Sequence, residues 1–157
     1  MSAATSAGAT NPYKGLYILA QRRVENGFNL NPPGNNPMNS KGQGDDGTIP
    51  ITTHEFIKGE KKLMICEFAN FTTVEKGFEG YLNLLKRNFS GALDALKNND
   101  KTLADFTSGL QNGRRGAYAT DPIYAEKIQT VFESIVKDYT KSIDNEITSN
   151  NNAMFGF

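Results

Sequence analysis

Apolar residues near the start of the chain recur at steps of three and four positions. They are Tyr13, Leu16, Tyr17, Ala20 and Val24. This spacing predicts an amphipathic helix from about Pro12 to Asn26. Pro12 suits the first helical position, because its missing N–H donor would have no partner there. Asn26-Gly27 tolerate the left-handed backbone that closes many helices.

From Thr48 the pattern changes to a period of two, which is typical of a β-strand. One face is predicted to carry Ile49, Ile51, Thr53 and Glu55, and the other Thr52, His54 and Phe56. A turn at Lys58-Gly59-Glu60 and a returning strand over residues 63–68 complete a β-hairpin, with a third short strand as an option. A hairpin of this size is not stable alone, so we expect it to pack against helices.

The helical period returns after the hairpin. Thr72 and Glu75 have the spacing of a capping box, which predicts a helix start. Two shorter helices are predicted near residues 91–98 and 102–111, and a long one begins at Asp121-Pro122, an aspartate cap followed by proline. The expected fold class is α+β and mainly helical. Residues 1–11 are expected to form a flexible N-terminal arm, residues 12–144 the domain, and residues 145–157 a polar C-terminal tail.

Composition excludes several classes of function. The 157 residues suffice for one domain, and seventeen basic residues balance seventeen acidic ones, so no nucleic-acid partner is expected. The single cysteine, Cys66, and the single histidine, His54, exclude a Cys/His metal cluster within one chain, and we expect no metal or other cofactor. No segment reaches the length of a membrane span. The first twelve residues lack the features of a secretory signal, so we expect synthesis in the cytoplasm without a signal peptide.

Glu25 is the first candidate for chemistry. It lies in the last turn of the predicted first helix, where the negative end of the helix dipole disfavours a second negative charge. Partial burial would also raise the pKa of its carboxyl group. A carboxylic acid that stays protonated near neutral pH can act as a general acid. The alternative is an ordinary solvated glutamate at a frayed helix end.

Glu55 in the hairpin is the candidate second carboxylate, and Glu67 on the returning strand is its rival. Either could instead pair with one of the hairpin lysines, which contributes little to stability at a surface. Residues 29–47 hold three prolines and four glycines, which predicts a long structured loop. The amides of Asn35 and Asn36 in this loop could bind sugar hydroxyls or N-acetyl groups, or they could serve the loop's own turns.

Four short motifs carry more specific information. Residues 23–28 read Arg-Val-Glu-Asn-Gly-Phe, and residues 35–41 read Asn-Asn-Pro-Met-Asn-Ser-Lys. Residues 52–56 read Thr-Thr-His-Glu-Phe, and residues 116–125 read Gly-Ala-Tyr-Ala-Thr-Asp-Pro-Ile-Tyr-Ala. In this order they resemble the motifs of glycoside hydrolase family 73, the flagellar-rod-type endo-β-N-acetylglucosaminidases. The corresponding family patterns are Ala-Leu-Glu-Ser-Gly-Trp, Asn-Asn-Leu-Phe-Gly-Ile-Lys, Thr-Thr-Glu-Tyr and Gly-Tyr-Ala-Thr-Asp-Pro-x-Tyr-Ala.

The sequence departs from these patterns at several points. Phe28 replaces a tryptophan, Phe56 replaces a tyrosine, and Arg22-Arg23 replaces small or apolar residues before the glutamate. Around Arg114-Arg115 the chain is slightly longer than the pattern. These changes affect the expected details of substrate binding more than the expected fold.

The resemblance implies a lysozyme-like fold, in which a helical lobe and a small β-hairpin lobe enclose a polysaccharide between them. It implies a peptidoglycan hydrolase of the endo-β-N-acetylglucosaminidase type, which cleaves β-1,4 glycosidic bonds of the glycan strand. Glu25 is the expected acid and Glu55 the expected second catalytic group. The residues expected to bind substrate are Tyr118, Tyr124, Asn35, Asn36 and Phe28.

Other functions on the same fold remain open. A lytic transglycosylase or a muramidase would use a similar site, and a catalytically weak wall-binding or structural component would keep the fold alone. We expect action on the cell wall, in the periplasm or outside the cell. Delivery by a larger phage-tail or injection-type assembly would explain how the chain reaches the wall. Its contact is expected at the termini, where residues 154–157 read Met-Phe-Gly-Phe.

Overall fold

The computed structural model describes residues 12–155, and the predicted N-terminal arm and the last two residues lie outside this range. The chain order is α1 (Pro12–Asn26), a 3-10 turn (Pro33–Asn35), β1 (Thr48–Ile57), β2 (Glu60–Ala69), α2 (Val74–Asn88), α3 (Ser90–Lys97), α4 (Leu103–Gln111) and α5 (Tyr124–Phe155). A helical lobe therefore accompanies one β-hairpin, and the predicted α+β, mainly helical class is confirmed.

The hydrophobic core lies in the helical lobe, where α1 packs against α5 and α3 packs against α4. Tyr17 of α1 lies between Phe106 and Phe132, with ring centroids 5.8 and 5.4 Å away. Other fully buried apolar side chains of this core are Tyr81, Leu85, Leu96, Leu110 and Ile128. Full burial of each such side chain contributes about 1.5–3 kcal/mol, so this lobe supplies most of the apolar stabilisation.

The buried face of α1 differs in part from the predicted stripe. Tyr13 is 50% exposed, whereas the polar residues Lys14 and Gln21 are buried beside Tyr17. The Lys14 ammonium donates to the carbonyl of Lys101 and lies 5.0 Å from the Tyr17 ring centroid. The Gln21 amide is also hydrogen-bonded, to the hydroxyl groups of Tyr81 and Tyr124. Polar groups with such partners can be buried at little cost, which a hydrophobic pattern does not reveal.

The two strands form the predicted hairpin. Thr48 pairs with Ala69 and Ile57 with Glu60 in an antiparallel register. The turn residues Lys58 and Gly59 both have left-handed backbones, with φ of 51° and 79°, which matches the right-handed twist of paired strands. Partly buried and exposed side chains alternate along β1 as predicted. In place of a third strand, a single bridge joins Lys41 to Phe68.

One predicted helix start is wrong by one residue. The cap of α2 is Thr73, whose hydroxyl accepts from the Lys76 amide at 3.2 Å, and not Thr72. The Thr72 hydroxyl instead donates to Asp45 at 2.6 Å and ties the preceding loop to the helix start.

Helix α5 continues further than expected, because the residues predicted as a tail are helical as far as Phe155. Residues 124–155 contain no glycine or proline. Asparagine is only a weak helix former, and adding a residue to an existing helix gains one hydrogen bond without a new nucleus. The described side chains of residues 137–154 are all exposed. No helix among residues 12–155 combines the length and apolar character needed to cross a bilayer.

Candidate active site

A cleft of about 260 Å³ lies between the helical lobe and the hairpin. Glu25 from the end of α1 and Glu55 from β1 both line it. Asn39 and Lys41 of the long loop and Tyr118 of the loop before α5 complete its inner wall. The structure thus brings together two carboxylates separated by thirty positions in sequence, in a cleft of the kind that holds small-molecule or polymer substrates.

The carboxyl group of Glu25 is partly buried and held from two sides. The Tyr124 hydroxyl donates to Oε1, and the Asn39 amide donates to Oε2 at 3.0 Å. Burial raises the pKa of Glu25, and this effect outweighs the hydrogen bonds from Tyr124 and Asn39 and the charge of Lys41, which lower it. The acid form of Glu25 therefore persists to a higher pH than that of an ordinary glutamate.

A buried chain of hydrogen bonds lies behind Glu25. The Tyr81 hydroxyl donates to Gln21 Oε1 at 2.6 Å, and Gln21 Nε2 donates to the Tyr124 hydroxyl oxygen at 3.1 Å. Because the Tyr124 oxygen accepts from Gln21, its own proton is free to point at Glu25. All three supporting residues are at most 3% exposed, so water does not compete with these bonds. This series of hydrogen bonds fixes the position of the Glu25 carboxyl group.

Glu55 has a different environment. Lys41 Nζ donates to Oε1 at 2.6 Å, and the Thr120 hydroxyl donates to Oε2. Burial by itself would raise the pKa of Glu55, but the hydrogen bonds from Lys41 and Thr120 and the Lys41 charge bring it below the ordinary value. The Cys66 thiol also lies 4.0 Å from Oε1. The carboxyl group of Glu55 therefore ionises at a lower pH than that of Glu25.

The two candidate carboxylates of the hairpin, Glu55 and Glu67, lie in different places. Glu67 is exposed on β2, opposite Pro50, and does not line the cleft. The partner of Glu55 is Lys41 from the long loop rather than one of the hairpin lysines. Of the two carboxylates, only Glu55 is placed to act together with Glu25.

The loop amides that were predicted to bind substrate support the loop instead. Asn36 is 1% exposed; its Nδ2 donates to the carbonyls of Ser40 and Ala69 at 2.9 and 3.0 Å, and its Oδ1 accepts from the Ser40 amide at 2.9 Å. Asn35 Nδ2 donates to the Phe71 carbonyl at 2.8 Å. Neither residue lines the cleft, and the amide that does so is Asn39.

The three aromatic residues of the predicted site have three different placements. Tyr118 lines the cleft, while its hydroxyl donates to the Met38 carbonyl at 2.6 Å and so fastens the long loop. Tyr124 is 3% exposed, does not line the cleft, and donates a hydrogen bond to the Glu25 carboxyl group from behind. The rings of Tyr118 and Tyr124 are parallel, with centroids 6.3 Å apart. Phe28 is 81% exposed outside the cleft, beneath the Arg23 guanidinium at 4.6 Å.

Sequence reasoning missed four residues that support the two carboxylates: Gln21, Asn39, Lys41 and Thr120. A weak signal existed for Gln21, which lies four positions before Glu25 and therefore on the same helical face. Asn39 and Lys41 stand inside the recognised loop motif. No local pattern distinguishes them from their polar neighbours, because their roles depend on how the loop folds back.

The two carboxylates have pKa values shifted in opposite directions by their surroundings. Such a pair can divide the work of an acid and a base at one pH. Shifted values of this kind cluster at functional sites. The cleft is therefore suited to chemistry in which one bond receives a proton while a nucleophile is activated on another side.

The chain is similar in sequence to proteins of known family. Residues 1–137 match the glucosaminidase family model, described as mannosyl-glycoprotein endo-beta-N-acetylglucosaminidase. The chain is 29% identical over 144 residues to the peptidoglycan hydrolase FlgJ of Escherichia coli K12, covering 82% of this chain and 44% of that protein. It is 26% identical over 126 residues to FlgJ of Pseudomonas aeruginosa, covering 73% of this chain and 30% of that protein. The chain thus spans less than half the length of the curated relatives it matches.

Solved structures are similar over most of the chain. A peptidoglycan hydrolase mutant from Sphingomonas sp. A1 superposes with a TM-score of 0.63 at 26% identity, covering 83% of this chain and 84% of that one. The glycoside hydrolase domain of FlgJ from Salmonella typhimurium gives a TM-score of 0.55 at 25% identity, covering 86% and 91%. The predicted lysozyme-like α+β architecture is confirmed.

Proposed function

The chain belongs to the glucosaminidase family, and from this premise we propose that it hydrolyses the β-1,4 glycosidic bonds of peptidoglycan glycan strands as an endo-β-N-acetylglucosaminidase. The relatives named as peptidoglycan hydrolases support this choice of substrate. The central observation is the pair of carboxylates in one cleft, with the pKa of Glu25 raised and that of Glu55 lowered.

In the proposed mechanism Glu25 is the general acid. Glycoside cleavage requires a proton on the leaving oxygen while positive charge develops at the sugar ring. Glu25 keeps that proton to a higher pH than an ordinary glutamate does, because burial disfavours its anion and raises its pKa. Tyr124 and Asn39 hold the carboxyl group in one orientation, which reduces the rearrangement needed before proton transfer.

Glu55 is proposed as the second catalytic group, which activates the attacking water. Its ionised form accepts hydrogen bonds from Lys41 and Thr120 and can still take up a proton from water. The hairpin carries Glu55 while α1 carries Glu25, so the sugar ring would lie between residues of the two lobes. The N-acetyl group of the substrate could replace Glu55 as the internal nucleophile, and loss of Glu55 would then have little effect.

Digestion of purified peptidoglycan by the whole chain, with mass analysis of the products, tests the proposed function. The proposal predicts fragments with a reducing N-acetylglucosamine end. A reducing N-acetylmuramic acid end would indicate a muramidase, and an anhydro ring would indicate a lytic transglycosylase. Binding to the wall without any released product would indicate a wall-binding or structural component. Each of these three outcomes would overturn the proposal.

We also propose that the chain works at the bacterial wall as part of a larger phage-tail or injection-type assembly, and that the contact expected at the termini includes the exposed face of α5. Tyr139, Ile143 and Ile147 are exposed at four-residue spacing along this helix, so they form one apolar strip that a partner helix can cover. The double variant Ile143→Glu/Ile147→Glu should keep full activity on isolated wall and lose co-purification with assembled particles. Lys141→Glu, at another exposed position of α5, is the matched control. Unchanged co-purification of the double variant would remove α5 from this role.

A further inference from the structure

We propose that a second depression beside the catalytic cleft, the basic groove, binds carboxylate groups of the peptide stems that peptidoglycan carries, and that Arg87 and Arg115 hold them. The basic groove has a volume of about 310 Å³, and its polar lining includes Asn39, Lys41, Arg87 and Arg115. This inference rests on the proposed function, because the peptide stems branch from the same glycan strand that is proposed to lie in the catalytic cleft.

The basic groove is continuous with the catalytic cleft. Asn39, Lys41 and Tyr118 line both depressions. Asn39 is also the residue that donates to Glu25, and Lys41 the residue that donates to Glu55. A polymer bound over the two carboxylates therefore lies beside the basic groove. A side branch of that polymer can reach the groove from the cleft.

The charge of the basic groove differs from that of the rest of the molecule. The chain carries seventeen basic and seventeen acidic residues, and the catalytic cleft contains both signs of charge. The basic groove is lined by Lys41, Arg87 and Arg115 and by no aspartate or glutamate. Lys41 is paired with Glu55. Arg87 and Arg115 are exposed, and within residues 12–155 neither forms an ion pair.

The backbone fixes Arg115 next to Arg87. Arg114 and Arg115 form the tip of a tight turn closed by a hydrogen bond from the Gly116 amide to the Gly113 carbonyl, 3.2 Å long. The Arg114 amide donates to the Asn88 carbonyl at 2.7 Å, which attaches the turn to the end of α2, one residue after Arg87. Backbone hydrogen bonds therefore fix the segments that carry these two arginines, and both side chains line one groove.

Two unpaired guanidinium groups fit carboxylates better than they fit sugars. The planar guanidinium forms two parallel hydrogen bonds to a carboxylate, whereas the hydroxyl and N-acetyl groups of a glycan carry no charge to pair with. The peptide stems supply the free carboxylates of this polymer. They branch from alternate sugars, so a strand bound across Glu25 and Glu55 brings a stem close to the cleft.

The test compares Arg87→Ala/Arg115→Ala with Arg114→Ala. Arg114 is exposed on the same turn but does not line the groove, and alanine keeps the backbone hydrogen bond. The substrates are soluble glycan oligomers with peptide stems, prepared free of phosphate polymers, and the same oligomers after an amidase has removed the stems and the lactyl carboxylates that this exposes have been converted to amides. The double variant should raise KM about fivefold on stem-bearing oligomers, which corresponds to a total loss of about 1 kcal/mol from the two exposed ion pairs. On stripped oligomers its KM should match the wild type, and Arg114→Ala should match the wild type on both.

Salt gives an independent readout. The KM advantage of the wild type on stem-bearing oligomers should decrease as ionic strength rises, because exposed charges are screened. An equal rise of KM on both substrates, or no rise on either, would overturn the inference. If the wild type cleaves neither substrate, the proposed function fails. In that case, calorimetry measures the affinity of stem-bearing oligomers for the wild type and for the double variant. A fivefold weaker affinity of the double variant would support carboxylate binding in the basic groove, and an equal affinity would refute it.

Discussion

Replacing Tyr124 with phenylalanine removes one hydroxyl group from behind the proposed acid and leaves the buried ring in place. Two partners lose a hydrogen bond: Oε1 of Glu25 loses a donor, and Nε2 of Gln21 loses its acceptor. Gln21 is completely buried, so water cannot replace the lost acceptor. The variant therefore tests whether the buried chain of hydrogen bonds sets the state of Glu25.

The expected loss of stability follows from these two groups. A buried donor without a partner and a weakened bond to a carboxyl group together cost about 2–3 kcal/mol. For a domain of this size that corresponds to a decrease in Tm of about 4–12 °C. The loss should be larger at neutral pH than at acidic pH. The Tyr124 bond lowers the pKa of Glu25 against the larger effect of burial, so its removal raises that pKa further and makes the ionised form less favourable in the folded protein.

The protonation of Glu25 makes the stability of the folded protein depend on pH in a definite direction. Because the pKa of Glu25 in the folded protein lies above its unfolded value, the stability that this group contributes is present below the unfolded pKa and lost as the pH rises through the folded pKa. Raising the folded pKa further increases the total loss at neutral pH. In the activity profile, the same change should move the alkaline limb of kcat/KM to higher pH while the maximal rate falls.

Thermal unfolding across pH and a pH–rate profile on solubilised glycan measure both effects. Tyr139→Phe is the matched control, because Tyr139 lies 63% exposed on the same helix. An alkaline limb that stays in place or moves to lower pH, together with a Tm equal to that of the control, would refute the role given to Tyr124.

Three further predictions concern the other residues of the site. Glu55→Gln should slow glycan hydrolysis and remove the acidic limb of the pH–rate profile. The exposed Glu67→Gln should leave the rate and the profile unchanged, and a larger loss of rate in Glu67→Gln than in Glu55→Gln would show that the wrong hairpin carboxylate was assigned. The wild-type profile should have a broad plateau, since activity rises as Glu55 ionises below its ordinary pKa and falls as Glu25 ionises above its ordinary pKa; a narrow maximum would contradict these directions. Asn36→Ala should lower the free energy of unfolding by about 3 kcal/mol, because three hydrogen bonds between its buried side-chain amide and backbone groups are lost; weaker glycan binding without a change in Tm would show instead that Asn36 contacts substrate.

Local pattern was sufficient for the elements that carry the site. The positions of helix α1 and of the turn at Lys58 and Gly59 follow from hydrophobic period and from residues that accept left-handed backbone. These two features place Glu25 at a helix end and Glu55 on the inner face of the hairpin. The resemblance to a known family then indicated which of the seventeen acidic residues to consider.

The local sequence pattern could not predict the surroundings of the two carboxylates. Asn36 and Asn39 are both asparagines of one loop, yet the first is buried against its own backbone and the second donates to Glu25. Thr120 reaches Glu55 across sixty-five positions, and Gln21 reaches Tyr124 across one hundred and three. Such contacts depend on how distant segments fold together, so residue type and spacing cannot specify them. The full length of α5 was not predicted for another reason. The side chains at its polar end are exposed, so no hydrophobic period marks this part of the sequence as helical.

The rate of peptidoglycan hydrolysis by Glu25→Gln tests the central claim most directly. Glutamine keeps the shape of the side chain and can still accept from Tyr124, but it has no acidic proton to donate. We expect the release of reducing ends to fall by about 10²–10⁴-fold, with a circular dichroism spectrum and wall affinity close to those of the wild type. A variant that folds normally and retains near-wild-type turnover would show that Glu25 is not the acid, and the proposed mechanism would then be wrong.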